Sequence, residues 1–451
     1  MAFFRSRKPT APTSPEPAAQ DDTPEADEAT DRLADEEVEG EGEVGFTEED
    51  AAREWRDRAE AVLPGGSSTG SKRAAALFGP DDLDSAAHFL RATGCEIQTV
   101  GGERLVDCTM ALGAVALGYA DPAVTQNVVQ AASAGNVAGM SSVLEVQLAE
   151  RLCDVIPCAE QVRFLKTGAE GCAAAIRIAR TATGRSRVVG AGYFGWLDWW
   201  TTDAAGVPTG AHGDFSPVPF DDLLALERAA SAAGGDLAAV ILEPFVERPP
   251  SEGWLAGARA ICERTGAVLI FDEMKTGFRV RTGGWQEYAA VEPDLAVFGK
   301  ALANGYPLAA VVGRAAIMEA AGRTWISSTL AGETTALAAA MAVLDRHDEE
   351  DVCAALWSIG ESTLDVVRAA VSASGVRGVS VEGIAPMWMF RFDDPTRQDR
   401  FLRLARNHGA LFKRGAYNYA ALAHDEEAIA AIERAASSAF VELVEQERDG
   451  R

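Results

Sequence analysis

A lysine stands at the end of a strongly apolar stretch of the chain. Lys300 follows the run Leu-Ala-Val-Phe-Gly at 295–299, which predicts a strand, and it precedes a loop of small residues. Lysine is seldom placed where its amine loses water unless that amine has a chemical role. Desolvation lowers the pKa of an ammonium group, and a neutral amine attacks a carbonyl to form a Schiff base. Lys300 is therefore a candidate nucleophile; the simpler interpretation is a side chain that extends to solvent.

Two preceding apolar stretches end in acidic residues. Residues 237–242 come directly before Glu243, and residues 267–271 come directly before Asp272. Continuous apolar runs are typical of parallel strands buried on both faces, and the chain between the runs is long enough for helices. Ligands of open α/β sheets bind beyond the carboxyl ends of the strands, so Glu243, Asp272 and Lys300 are expected at one edge. There the lysine would hold the aldehyde of pyridoxal phosphate (PLP), and the aspartate would keep its ring nitrogen protonated.

A predicted strand–turn–helix unit adds a site for an anion. Residues 162–165 predict a short strand, and a helix is predicted from Cys172 to Ala182. In the turn between them, Gly168 lets the backbone approach a ligand, and free amides at a helix start favour an anion such as phosphate. Farther along the chain, Tyr193 lies in a glycine-containing turn. Its ring could stack on a planar cofactor or serve as packing, and its position alone favours neither interpretation.

In their order along the chain, these motifs resemble those of the class III aminotransferases of PLP fold type I. The similarity is greatest to the branch that contains glutamate-1-semialdehyde aminomutase and its aminotransferase relatives. It extends from about Leu63 to the C-terminus and rests on residues 167–170, 193–196, 243–244, 271–273, 299–300 and 328–332. The resemblance implies an α/β fold: a large domain with a mostly parallel seven-stranded sheet and flanking helices, plus a smaller α+β C-terminal domain. It also implies a homodimer with shared active sites.

The resemblance implies catalytic roles for three residues. Lys300 would form the internal aldimine with PLP and move the proton between the substrate carbon and the cofactor carbon. Asp272 would pair with the pyridinium nitrogen, and Tyr193 would lie against the face of the ring.

Four further residues are implied in cofactor binding. Gly168 and Ala169 would offer backbone amides to the phosphate, and Glu243 matches an acidic residue near the active site. Thr329 matches the threonine that family members contribute to the phosphate of the partner subunit. Because the family usually has a threonine at the position of Ala169, the backbone amides are expected to carry more of the phosphate binding.

The chain is strongly acidic, and its charge is unevenly distributed. The net charge is −27 over 451 residues, and residues 1–50 contain 16 acidic and 4 basic residues. A like-charged block with few large apolar residues predicts a disordered tail, for which a passive role is favoured over a docking role. A helix is predicted to begin near Thr47. The acidity argues against nucleic acid binding, since a phosphate backbone would be repelled.

The sequence predicts a cytoplasmic protein with no membrane association. The basic N-terminal residues precede no apolar run, which argues against a signal peptide, and no stretch is long enough to span a bilayer. Seven cysteines without a Cys-x-x-Cys motif are typical of reduced thiols, and five histidines without ligand spacing predict no metal site. The predicted organisation is an acidic tail (1–46), an N-terminal segment (47–105), a large PLP-binding domain (106–340) and a small C-terminal domain (341–451).

The segment 196–208 bears on the type of reaction. It is shorter and richer in tryptophan than the Gly/Ser-rich lid that retains the intermediate in the semialdehyde mutases. It therefore favours an aminotransferase that moves an amino group from a small-molecule donor to an aldehyde or ketone, with sugar or natural-product intermediates as candidate acceptors. Trp196, Trp199 and Trp200 could stack on sugar faces, and packing is the favoured alternative.

Two other functions are weighed against this prediction. One is a glutamate-1-semialdehyde-type 2,1-aminomutase, and the other is a catalytically silent PLP-fold scaffold. Retention of Lys300 and Asp272 argues against the scaffold. The identity of the donor and acceptor stays open, and Arg279 and Arg414 are candidates to bind a substrate carboxylate.

Overall fold

The computed structural model describes residues 48–82, 85–201 and 205–450, so the predicted acidic tail lies outside the described residues. The strands are β1 (Phe89–Thr93), β2 (Glu96–Thr99), β3 (Arg104–Asp107), β4 (Gln161–Leu165), β5 (Arg187–Ala191), β6 (Phe215–Pro217), β7 (Leu237–Leu242), β8 (Val268–Asp272), β9 (Leu295–Phe298), β10 (Ala309–Gly313), β11 (Val379–Ile384), β12 (Met387–Phe392), β13 (Ala410–Leu411) and β14 (Asn418–Tyr419).

Helices occupy much of the remaining described chain. The α-helices are α1 (Glu48–Val62), α2 (Ala74–Phe78), α3 (Met110–Gly113), α4 (Pro122–Ala134), α5 (Val143–Val155), α6 (Gly168–Thr183), α7 (Leu223–Ala233), α8 (Trp254–Thr265), α9 (Trp285–Ala289), α10 (Ala315–Met318), α11 (Thr334–Glu349), α12 (Val352–Ser374), α13 (Pro395–Asn407) and α14 (Glu426–Arg448). Short 3-10 turns cover Pro64–Gly66, Gly70–Lys72, Gly234–Asp236, Lys300–Ala303 and Glu319–Arg323. The start of α1 confirms the helix predicted near Thr47. No helix in the described part of the chain is both long enough and apolar enough to cross a membrane.

The largest sheet has seven strands in the order β4-β10-β9-β8-β7-β5-β6. Strand β10 is antiparallel to both of its neighbours. The other adjacent pairs, from β9 across to β6, are all parallel. The predicted mostly parallel seven-stranded sheet is thus confirmed, including the parallel arrangement of the three strands that precede Glu243, Asp272 and Lys300.

Helices on both faces bury the central strands. Within β8, Ile270 joins an apolar cluster with Ile178 of α6, whereas its neighbour Leu269 joins a second cluster with Ile261 of α8. Consecutive side chains of a strand point to opposite faces, so a strand covered on both sides must be apolar throughout. Accordingly, every residue of β7, β8 and β9 is buried. The polar residues of these segments are confined to the strand ends.

The register of the sheet aligns the carboxyl ends of its parallel strands. Leu242, the last residue of β7, pairs with Ala191 of β5 on one side and with Phe271 of β8 on the other. Asp272 then pairs with Val297 of β9. The loops that follow β5, β7, β8 and β9 therefore meet at one edge, as the sequence predicts.

The described chain also forms two smaller sheets. Strands β1, β2 and β3 are antiparallel, and β13 adds to β3 in parallel, so this sheet combines early and late parts of the chain. Strands β11, β12 and β14 form an antiparallel sheet. Phe401 of α13 stacks on Phe440 of α14 with ring centroids 4.2 Å apart, within the apolar cluster that also contains Phe390 of β12. The domain boundaries proposed from the sequence stay predictions.

Candidate active site

Lys300 lies at the carboxyl edge of the central sheet, two residues after β9 ends. It begins a 3-10 turn and has a left-handed backbone with a φ of 48°. This conformation is uncommon for a residue with a side chain and persists only where the surrounding structure holds it. Burial lowers the pKa of the Lys300 ammonium group; Asp272 opposes that shift and Lys275 reinforces it. The result is an amine biased towards its neutral form.

Asp272 ends β8 and is almost completely buried. One oxygen accepts a hydrogen bond from the Met274 amide at 3.0 Å, and the other accepts one from the Cys172 thiol at 3.3 Å. Burial raises the pKa of Asp272 to about 6, and repulsion from Glu243 adds to the rise. Among the described residues no cation donates a hydrogen bond to this carboxylate. A positively charged ring nitrogen would provide this carboxylate with a charged hydrogen-bond donor.

Glu243 follows β7 and is 3 % exposed. Its Oε1 accepts a hydrogen bond from the Tyr193 amide at 2.5 Å, and its Oε2 forms an ion pair with Lys275. The ammonium of Lys275 also lies 5.1 Å from the centroid of the Tyr417 ring. Glu243 therefore joins the loops that follow β5, β7 and β8.

The turn before α6 leaves two backbone amides free. Thr167 caps the helix by accepting a hydrogen bond from the Glu170 amide at 3.2 Å, and Glu170 accepts one from the Thr167 amide at 3.0 Å. This cap starts α6 at Gly168, four residues earlier than the sequence predicts. In the described part of the chain the amides of Gly168 and Ala169 donate to no acceptor. Free amides at a helix start favour a phosphate.

The turn that carries Tyr193 lies directly on the start of α6. Gly195 has a φ of 88°, and a Cβ built there would lie 2.3 Å from the Cβ of Ala169. Any larger residue would push the turn away from the helix. The Tyr193 side chain is 65 % exposed and packs edge to face on Trp200 at 5.4 Å between ring centroids. An exposed ring beside two free amides is available to a planar ligand.

The tryptophans of the 196–208 segment divide between packing and exposure. Trp199 packs on Phe194 and Phe215 with ring centroids 5.8 and 5.6 Å away. Trp200 donates its indole N–H to the Gly195 carbonyl at 2.9 Å. Both belong to the apolar layer over α6, in agreement with the packing interpretation. Trp196, which is 74 % exposed, is the member of the set that is free to meet a substrate.

Thr329 does not stand at a strand end; it lies between the turn Glu319–Arg323 and α11. It is exposed in the loop before α11 and lines a cleft with Met140 and Phe164. Among the described residues, no hydrogen bond joins it to Lys300 or Asp272. This placement is compatible with the predicted contribution to a partner subunit, which stays a prediction.

The two arginines considered as carboxylate clamps have other partners. Arg279 is fully buried and donates to the backbone carbonyls of Ala420 at 2.5 Å and Val115 at 3.1 Å. Arg414 donates two hydrogen bonds to the carboxylate of Asp399, at 2.5 and 3.2 Å. Both guanidinium groups are committed within the fold, so the structure does not support either one as the clamp.

The residues at the edge fit PLP on three separate counts. Lys300 presents an amine whose pKa is lowered, which suits attachment of an aldehyde. Asp272 is a buried acceptor whose hydrogen-bond donors among the described residues are an uncharged thiol and amide, which leaves it suited to a protonated ring nitrogen. The amides of Gly168 and Ala169 are free, which suits a phosphate. The structure thus brings six of the seven predicted site residues into one region, and no hydrogen bond among the described residues joins Thr329 to them.

Two residues of this region were not predicted from the sequence. Cys172 lies one helical turn after Gly168, so the helical period would have placed it on the same face of α6. Lys275 lies three residues after Asp272 in the loop at the strand end. Neither position is distinctive without knowledge of the carboxylate that each one contacts.

The family model of the class III aminotransferases matches residues 80–195 and 219–423 of this chain. Two curated relatives are both named glutamate-1-semialdehyde 2,1-aminomutase. The protein from Sorangium cellulosum is 34% identical over 394 residues, which cover 81% of this chain and 89% of the relative. The protein from Rhodopirellula baltica is 32% identical over 359 residues, which cover 75% of this chain and 81% of the relative.

Solved structures of PLP enzymes share the fold. The FumI protein of a Sphingopyxis species, solved in its PLP internal aldimine form, has a TM-score of 0.84 and 25% identity, covering 88% of this chain and 97% of that one. An omega-transaminase from Sphaerobacter thermophilus has a TM-score of 0.79 and 24% identity, covering 87% of this chain and 98% of that one. The second likeness concerns the fold alone. The chain belongs to the class III aminotransferases and is a PLP-dependent enzyme of fold type I.

Proposed function

We propose that this aminotransferase moves an amino group from a small-molecule donor to a separate aldehyde or ketone, with Lys300 as the residue that holds the cofactor. The observation that carries the proposal is that Lys300, Asp272 and Glu243 stand at the carboxyl ends of three adjacent parallel strands, at one edge of the sheet. Burial there lowers the pKa of the Lys300 amine. A neutral amine in this position can attach an aldehyde and exchange a proton with an adjacent carbon atom.

The proposed roles follow from the partners of each residue. Bound PLP would supply an electron sink that stabilises negative charge at the substrate carbon. The Lys300 amine takes the proton from that carbon and delivers it to the neighbouring carbon. The Asp272 carboxylate keeps a proton on the ring nitrogen, because the charge of a buried carboxylate favours a cation beside it. Gly168 and Ala169 donate their free amides to the phosphate, and the Tyr193 ring covers one face of the cofactor.

A homodimer is part of the proposal. Large apolar side chains are exposed around α5 and the loop before α11, with Met140 at 87 %, Val143 at 73 % and Trp325 at 82 %. Exposed apolar groups of this size favour burial against another protein surface. Thr329 lines the same cleft as Met140, so a second copy seated there would meet it. This supports the assignment of Thr329 to the cofactor phosphate of the partner subunit.

A 2,1-aminomutase is the second candidate, and the names of the relatives favour it. The observation that favours transfer to a separate acceptor is the 196–208 segment. Trp199 and Trp200 anchor the first part of this segment by packing on Phe194 and Phe215, whereas a lid that must open and close needs freedom from such contacts. Residues 202–204 of the segment lie outside the described residues. The exposed Trp196 suits an acceptor with a flat apolar face, such as a sugar or a natural-product intermediate.

We also propose that the protein acts in the cytoplasm. All seven cysteines are free thiols in the structure, and most of them are buried. Free thiols are typical of proteins kept in a reducing compartment.

Absorption spectroscopy of the purified protein tests the proposed function. Wild type is expected to show the visible band of a lysine-bound cofactor, and one amino donor from a panel should convert it to the aminated form. Adding a separate aldehyde or ketone should then restore the band. The Lys300→Ala variant should lose both the band and turnover. Turnover retained in Lys300→Ala would refute the role of Lys300, and isomerisation of a single compound without a separate acceptor would favour the mutase.

A further inference from the structure

Lys275 is a largely buried cation between two partners. Its side chain is 20 % exposed, and its ammonium forms an ion pair with Glu243, whose side chain is 5 % exposed. The ammonium also lies 5.1 Å from the centroid of the Tyr417 ring, within the range of a cation–π interaction. A buried charge that loses its partner is strongly destabilising, so the Lys275 ammonium is held in place by these two contacts.

Glu243 connects Lys275 to the turn that carries Tyr193. Its other carboxylate oxygen accepts the Tyr193 amide hydrogen at 2.5 Å. Gly192, the preceding residue, has a φ of 141°, and a Cβ built there would lie 2.6 Å from Cγ of Glu243. The backbone of the turn thus rests directly on the Glu243 side chain. A rotation of that carboxylate would move both the hydrogen bond and the surface on which the turn lies.

We propose that Lys275 is a positioning residue of the active site: its ammonium holds the Glu243 carboxylate in the orientation that receives the Tyr193 amide. Through this contact it fixes the turn that presents the Tyr193 ring to the cofactor. The inference rests on the proposed roles of Lys300 and Tyr193, and it adds Lys275 to the residues that shape the site.

The charge of Lys275 has a second consequence at Lys300. The groups that face the Lys300 amine come from four elements: Asp272 at the end of β8, Lys275 in the loop after it, Glu243 after β7 and Cys172 on α6. Burial lowers the Lys300 pKa most; among these charged groups, Lys275 lowers it whereas Asp272 and Glu243 raise it. Without Lys275, the unbalanced Glu243 carboxylate would favour the protonated amine more strongly.

Four variants of the PLP-loaded protein test the proposal. Lys275→Met removes the charge at similar length, Lys275→Gln keeps a hydrogen-bond donor for Glu243 without a charge, and Lys275→Arg keeps the charge. The control is Lys72→Met, which removes an exposed lysine of the N-terminal segment. Visible circular dichroism reports the orientation of the bound cofactor, and a pH titration of the visible band reports the proton affinity at the Lys300 nitrogen.

The expected results separate positioning from a general loss of structure. Lys275→Met should reduce the cofactor dichroism, shift the titration midpoint to higher pH and lower kcat by about 10–100-fold, the scale of a small misplacement of reacting groups. Lys275→Arg should restore the dichroism, Lys275→Gln should still shift the midpoint, and Lys72→Met should match wild type in every measurement.

One outcome would overturn the inference without affecting the proposed function. If Lys275→Met and Lys275→Gln both keep the wild-type dichroism and midpoint, Lys275 does not position the site. Should Lys275→Met fail to fold, Lys275→Gln alone decides, since it retains a polar partner for Glu243. The proposed function itself depends on the Lys300→Ala result, so the two failures are distinguishable.

Discussion

Removing the Lys166 ammonium should destabilise the protein, because it leaves a buried carboxylate without its counter-ion. The Nζ atom of Lys166 lies 2.7 Å from Oε1 of Glu333, and the two side chains are 14 % and 7 % exposed. Glu333 also caps α11 by accepting hydrogen bonds from the amides of Thr335 at 2.9 Å and Ala336 at 3.1 Å. The pair links the turn before α6 to the start of α11, across 167 residues of sequence.

The loss of unfolding free energy depends on which polar groups each variant leaves without a partner. Removing one partner of a buried pair typically costs about 3–5 kcal/mol. In Lys166→Met the Glu333 carboxylate keeps its two amide donors, so the expected loss of unfolding free energy is about 2–3 kcal/mol. In Glu333→Gln the side chain retains an oxygen that can cap α11, and Lys166 keeps the Pro307 carbonyl at 3.0 Å. The expected loss there is about 1–2 kcal/mol.

The pH dependence of this effect has a defined sign. Burial alone would raise the pKa of Glu333, but hydrogen bonds from Lys166 and Thr335 hold that pKa below its ordinary value. A carboxyl group with a lowered folded-state pKa stabilises the protein above its unfolded-state pKa, and this contribution is lost as the pH falls through the folded-state value. The Lys166→Met deficit is therefore expected near neutral pH and should shrink as the pH falls below about 4.5, near the unfolded-state value.

Urea unfolding, followed by helix dichroism, measures these quantities. The set consists of wild type, Lys166→Met, Glu333→Gln, the double variant and the Lys72→Met control, each near pH 7 and near pH 4. The double variant should lose less than the sum of the single variants by about 1–2 kcal/mol, because the two residues interact directly. Strictly additive losses, or a Lys166→Met deficit that persists unchanged in acid, would refute the reasoning.

Three further predictions concern single residues and the tail. Asp272→Asn in the cofactor-free protein should raise the unfolding free energy near neutral pH by about 1–3 kcal/mol, because a folded-state pKa raised to about 6 makes the ionised carboxylate unfavourable above that pH. The same variant should bind PLP at least about tenfold more weakly by calorimetric titration, and unchanged affinity would exclude the proposed contact with the ring nitrogen. Arg279→Met should lower the unfolding free energy by about 2–4 kcal/mol through lost bonds to the Ala420 and Val115 carbonyls. A rise in KM of the donor without that loss would restore a substrate role. Deletion of residues 1–45 should leave turnover and the unfolding midpoint unchanged, because this acidic, apolar-poor segment offers little surface to bury. A truncated protein that no longer turns over would contradict this.

The sequence is most informative about the central strands, because their burial on both faces imposes an apolar residue at every position. The runs before Glu243, Asp272 and Lys300 are apolar at every position, as a strand covered on both faces requires. From that pattern follow the parallel strands, their common carboxyl edge and the three side chains placed there. For α6 the sequence predicts a start at Cys172, four residues later than the observed start at Gly168. The capping exchange between Thr167 and Glu170 extends the helix backwards.

The sequence does not predict which charged side chains form ion pairs with one another. Lys275 follows β8 and pairs with Glu243, which follows the neighbouring strand β7. Lys166 follows β4 and pairs with Glu333, which comes directly before α11. Both pairs join residues that are far apart in the sequence, so neither has a periodic signal. The charge of Arg279 suggests that it binds a substrate carboxylate. The fold shows instead that its guanidinium group donates to backbone carbonyls within the protein. The sequence by itself determined which strands are buried and which side chains stand at their ends, because burial imposes an apolar pattern on neighbouring residues. Which of those side chains face one another was decided by the tertiary structure, because contacts between distant residues depend on the packing of whole elements and leave no local pattern.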